Sequence, residues 1–194
     1  WDTSSVTTMN SMFSDWLAYD INGDALPLYT TIFNQDIGAW DVSNVVELRI
    51  MFKGNALFNQ DLNSWDTSSA TSMNSMFEQC ASFNSDLNNW DTSKVEYMQT
   101  MFQGAANFNG DVTSWDTSKV KNMYAMFEEA ANFNQDIGGW NTSQVGTSNS
   151  GAQATGFWKF LKDATSFNQN LSCWDLSGNP NMDDSDSGAT AWDD

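Results

Sequence analysis

Three arrangements of polar groups in this sequence have the types and spacing to hold a ligand. Asp20-Ile21-Asn22-Gly23-Asp24 puts oxygens on alternate residues, the D-x-N-x-D spacing with which a calcium loop wraps one cation. Ala25 stands where an EF-hand loop wants glycine and Thr31 where it wants a bidentate acid, so a polar surface turn is the competing reading. Asp36, Asp61, Asp86, Asp111 and Asp136 recur at one phase of a repeat. Stacked about 5 Å apart they would repel one another, which calls for backbone N–H groups, a few lysines or a divalent cation between them. The third arrangement is a pair of N-x-[ST] sequons, Asn141-Thr142-Ser143 and Asn170-Leu171-Ser172, candidate glycosylation sites if the chain is secreted by a eukaryote, and otherwise turn caps.

Composition narrows the chemistry further. Seven Lys and Arg stand against 25 Asp and Glu, a formal charge of −18. Such a chain repels nucleic acid and anionic membranes, leaving cations or basic surfaces as electrostatic partners. It has no histidine, the commonest general base and metal ligand, and neither a Gly-rich phosphate loop nor a nucleophile constellation, so no enzyme is expected and no cofactor beyond a possible Ca²⁺. Cys80 and Cys173 fall at different phases of the repeat three units apart, too far for a disulfide. No apolar run reaches the roughly 20 residues of a membrane span, and no signal peptide is visible. The chain opens on Trp1, already in phase, which suggests a piece of something longer.

All these groups must be positioned by a repeat. Trp40, Trp65, Trp90, Trp115 and Trp140 are spaced 25 residues apart, and Trp115 to Gly139 carries the full unit. A fixed period of this size signals stacked units that bury apolar faces only against their neighbours. The first unit carries 14 extra residues around 14–31 and the sixth carries nine around 146–155, where Phe157, Phe160 and Leu161 replace M-x-x-M-F. About six repeats fill residues 1–177, and 178–194 reads as an acidic, irregular tail.

Within a unit, Met123, Met126, Phe127 and Ala130 have i, i+3, i+4, i+7 spacing, which predicts one short helix. F-N-x-D-[LIV] and the residues around the valine predict short parallel strands. The fold class expected is therefore an α/β repeat, a solenoid with one short helix and short parallel strands per 25-residue coil. Asn34, Asn59, Asn84, Asn109, Asn134 and Asn168 follow a phenylalanine and are expected to form an interior ladder. Asp2, Asp41, Asp66, Asp91 and Asp116 follow a tryptophan, with serine two residues on, and are expected to cap a turn. Aromatics outside the phase, namely Trp16, Tyr19, Tyr29 and Trp158, are the candidates for carbohydrate contact.

Phe133-Asn134-Gln135-Asp136-Ile137 before Trp140, and Trp115-Asp116-Thr117-Ser118 before Val120, Met123, Met126 and Phe127, resemble the repeat of the BspA-like surface proteins. That family is a leucine-rich-repeat relative found in mycoplasma surface lipoproteins. The resemblance covers roughly Trp1 to Ser177 and implies an extracellular or cell-surface solenoid without catalytic residues. The expected function is a structural or adhesive module of a surface or filamentous assembly, its partner a protein: itself or another array, end to end. The alternative is a module that recognises glycan or protein through one face and the two insertions.

Overall fold

The computed structural model describes residues 1–14, 33–146 and 156–177. Asp20, Asn22, Asp24, Trp16, Tyr19, Tyr29 and the acidic tail lie outside the described residues. The repeats form coils 1 (1–39), 2 (40–64), 3 (65–89), 4 (90–114), 5 (115–139) and 6 (140–173), each laid on the next. Isolated parallel bridges run through one residue per coil: Thr8, Glu47, Ser72, Tyr97, Asn122 and Gly156.

The helix and the strands are not there. Among the described residues there is no helix, and those single bridges are the only strand-type pairing. The α/β expectation is therefore overturned, and the hydrogen bonds give the reason. In coil 3 the N–H groups of Met73, Ser75, Phe77 and Gln79 donate to the carbonyls of Tyr97, Gln99, Met101 and Gln103 in coil 4. Between them, Met76 donates to the Met73 carbonyl and Cys80 to that of Phe77. Two successive turns result, each with its third residue left-handed: Ser75 at φ 56° and Gln79 at φ 62°. Such a pair of turns sends Met73, Met76, Phe77 and Cys80 inward with the same spacing as a helical face. A helix would spend these N–H groups within its own coil; the turns spend every second one on the neighbour.

The core is built of aromatic ladders. Phe52, Phe77, Phe102 and Phe127 stack at 5.5 to 5.6 Å between coils, and Trp65, Trp90, Trp115 and Trp140 at 6.0 to 6.3 Å. A second phenylalanine column, Phe33 to Phe167, stands beside the first; Phe77 and Phe83, for instance, stack at 4.0 Å within coil 3. Each such pair adds about 0.5–1.5 kcal/mol beyond burial. The buried indole N–H of Trp115 donates to the Leu87 carbonyl two coils back, and Trp65, Trp90, Trp140 and Trp174 repeat the bond. The threonine of W-D-T-S ties the coils in the other direction: Thr92 donates to the Asp116 carbonyl and Thr117 to that of Asn141.

Both insertions leave the stack in register. Phe13 and Phe33 lie 3.9 Å apart across the first, as Phe52 and Phe58 do at 4.0 Å without one, and Gly156 pairs with Asn122 beyond the second. Coil 6 breaks the ladder chemistry: with Leu161 at the phenylalanine phase, Phe160 meets Phe127 edge-on at 88°. Cys80 and Cys173 are both free, the first buried and the second exposed. Burial pushes the Cys80 thiol far above its ordinary pKa, and its Sγ donates to the Phe52 carbonyl. No helix among the described residues is long and apolar enough to cross a membrane.

Candidate binding groove

The repeated polar residues come first, because their hydrogen bonds decide whether they are free for a ligand. Each Asn of F-N accepts from the backbone N–H of its counterpart one coil on: Asn59 from Asn84, Asn84 from Asn109, Asn109 from Asn134. This ladder is exposed and not interior as expected, because the phenylalanine beside each Asn takes the inward direction. A side-chain oxygen here replaces the backbone acceptor that a strand would use. Asp41, Asp91 and Asp116 accept the N–H of the serine two residues on, and its hydrogen bonds hold their carboxyls below the ordinary aspartate value.

The F-N-x-D carboxylates are likewise engaged: Asp36, Asp61, Asp111 and Asp136 accept the N–H of Gly38, Asn63, Thr113 and Gly138, and Asp86 that of Asp111. The lysines pair chiefly with glutamates, Lys53 with Glu78 at 2.7 Å and Lys121 with Glu96 at 2.6 Å. Among the described residues no group of three or more His, Cys, Asp or Glu is arranged to hold a metal ion. Asn141 and Asn170 are exposed, each with its Oδ1 accepting the N–H of the serine that completes its sequon.

Groups without partners concentrate elsewhere. In coils 2, 3 and 4 the residues either side of the first inward methionine or leucine are Glu47 and Arg49, Ser72 and Asn74, Tyr97 and Gln99; Ser72 and Asn74 are buried, Arg49 and Tyr97 exposed. Together they line a groove of about 260 Å³. The short pair Ser72 and Asn74 sits in the middle coil and makes the floor, with Ser72 Oγ donating to Asn74 Oδ1 at 2.8 Å. The longer side chains of the flanking coils make the walls, and Tyr97 is 39% exposed.

Two oxygens in this lining, Glu47 Oε2 and Gln99 Oε1, are buried and accept no hydrogen bond. A third such atom among the described residues, Asn55 Oδ1, belongs to the core of coil 2, where the same amide donates to the Phe33 carbonyl. Arg49 is the single arginine of the sequence, and among the described residues no carboxylate lies within ion-pair distance of it.

The row does not stop at the groove. Ile50, Ser75, Thr100 and Ala125 donate their N–H groups to the carbonyls of Asn74, Gln99, Tyr124 and Trp158, so Arg49, Asn74, Gln99, Tyr124 and Trp158 follow one another coil by coil. Tyr124 and Trp158, both half-buried, lie 5.5 Å apart at 41°, and Lys159 Nζ stands 5.4 Å from the Trp158 ring. Trp158, singled out from sequence, thus shares a face with the groove. Asn141 and Asn170 stand at other phases of the coil.

Sequence reasoning missed the six groove residues, although a signal was present. At positions flanking an apolar core residue, Leu48, Met73 or Met98, E-x-R, S-x-N and Y-x-Q vary while the inward phases repeat. Variation inside a strict repeat marks what the architecture does not need.

Among curated proteins none matches the chain. The family described as "Mycoplasma protein of unknown function, DUF285" matches residues 1–104 and again 85–194, two overlapping copies that cover the chain. With every unit from the first to the last inside those matches, the chain belongs to the Mycoplasma protein family of unknown function, DUF285.

Proposed function

We propose that this chain is a recognition module of a cell-surface protein, related to the BspA-like surface proteins, which captures a polar ligand through the face bearing the groove. One observation carries the reading. The repeated polar ladders use their hydrogen bonds internally, whereas Glu47 Oε2 and Gln99 Oε1 are buried in the groove wall without a donor. Leaving a buried acceptor unpaired costs about 1–3 kcal/mol, a cost removed when the side chain turns from the wall into the groove to meet a ligand's donor. Adhesion is then a property of the side of the array.

Ser72→Tyr tests this, using the residue that the next coil carries at the same phase, Tyr97. Small polar probes that raise the melting temperature of the purified chain should lose their effect on the filled groove. Equal stabilisation of both proteins would refute the reading. Extracellular exposure is tested separately, by protease treatment of intact cells that express the protein.

A further inference from the structure

The geometry points to a neutral oligosaccharide as the ligand, lying along the stack with one sugar ring in the groove between Glu47 and Gln99 and the next units over Tyr124 and Trp158. This inference rests on the groove reading above and names its ligand class.

Charge comes first. The chain is strongly acidic, yet the groove holds one carboxylate, Glu47, and one guanidinium, Arg49, with four neutral side chains, so its own formal charge is zero. A cation has a better place almost anywhere else on this surface. Exposed Arg49 asks for acceptors, and the two orphan oxygens meet donors once the Glu47 and Gln99 side chains turn into the groove; a hydroxyl supplies both, and adjacent hydroxyls of a sugar supply them side by side.

Shape comes next. The walls stand two coil steps apart, and one step at the phenylalanine ladder is 5.6 Å. With about 260 Å³, the groove lies below the roughly 300–1,000 Å³ of pockets for drug-sized ligands, room for one ring and not for a folded peptide.

Aromatic placement then selects against a zwitterion such as an amino acid, which would satisfy Glu47 and Arg49 equally well. An amino acid ends within the groove and never reaches the rings beyond it. Tyr97 is exposed at the wall, and Tyr124 and Trp158 continue the Gln99 row at successive coil steps. Aromatic rings with an apolar face and a wet edge suit the C–H face of a sugar. Each coil step advances the surface by a distance comparable to one hexose unit, so a chain of sugars meets a ring at each step.

The test titrates the full chain with methyl glycosides of glucose, galactose and N-acetylglucosamine, with their β-linked di-, tri- and tetrasaccharides, and with glycylglycine, measuring affinity by calorimetry. A monosaccharide should bind in about the millimolar range, and the best oligosaccharide series should gain about tenfold or more with length. Gln99→Ala should weaken both by about tenfold. Trp158→Ala should remove the gain with length and leave the monosaccharide unchanged, a split that a general loss of fold does not produce. Free reducing sugars run beside the methyl glycosides distinguish a chain-linked ligand from a metabolite: binding confined to the reducing sugars, or no gain with length, overturns the proposal. Glycylglycine binding that Gln99→Ala abolishes overturns the saccharide class and leaves the groove as a recognition site. Sugar binding unaffected by Gln99→Ala, or no binding by any probe, overturns both.

Discussion

A groove shaped for a ligand should cost the free protein stability, and Gln99→Met measures that cost. Gln99 Oε1 is buried without a donor, and its partner-free state is what the substitution relieves. Methionine has nearly the length and volume of glutamine, so neither a cavity nor an overpacked wall results, and no charge changes. Removing an unsatisfied buried acceptor returns its desolvation penalty, about 1–3 kcal/mol. For a chain of this length that is roughly 2–12 °C in melting temperature, at about 2–4 °C per kcal/mol. The control lies four residues away: Gln103 Nε2 donates to Glu128 Oε2 at 2.6 Å, so Gln103→Met breaks a charge-assisted bond and should destabilise by about 1.5–3 kcal/mol. Urea unfolding monitored by tryptophan fluorescence reads both, with 10 tryptophans as reporters. Two glutamines of one coil should thus move the midpoint in opposite directions. If Gln99→Met lowers it as Gln103→Met does, Gln99 is a structural residue and the argument for a ligand fails.

The seam between coils 5 and 6 should depend on one carboxylate. Glu128 is buried, receives Gln103, and faces Lys159 at 3.2 Å and Lys162 at 3.8 Å, so Glu128→Gln should cost about 2–3 kcal/mol in chemical denaturation. A loss no larger than that of the exposed pair partner Glu96→Gln, about 0–1 kcal/mol, would contradict this. Acid sensitivity should track the turn aspartates. Hydrogen bonds from Ser93 and Ser118 lower the carboxyls of Asp91 and Asp116 below their unfolded value of 3.8, so their contribution is complete above that pH and is lost as pH falls through the folded values. Melting curves across that range should drop more steeply for the native chain than for Ser93→Ala/Ser118→Ala; parallel curves would rule the turns out as the acid-sensitive element.

What the sequence made legible is what one coil repeats, and what it hid is what several coils make together. The phases of Trp115, Met123, Met126, Phe127 and Phe133 identify inward positions because burial tolerates no drift, and all five are buried. Asp116 with Ser118 reads as a turn because an Asx side chain reaches its own backbone two residues on, with no help from a neighbour. The helix was misread at Met123 to Ala130 for a reason that inward spacing cannot repair. Hydrophobic periodicity reports where side chains point and is silent about where the N–H groups go. The left-handed residues did not betray the turns either. Thr100 at φ 52° and Ile50 at φ 60° are β-branched, the types least suited to that conformation, and they are held there by the inter-coil bonds of their own N–H groups. The groove is the extreme case. Glu47, Asn74 and Gln99 are ordinary polar residues within the sequence of their own coils, and only stacking puts a short floor between two long walls. In a repeat of this kind the fixed positions build the scaffold and the variable ones carry what is particular to the protein, so function is to be sought where the period fails, at outward positions of adjacent coils.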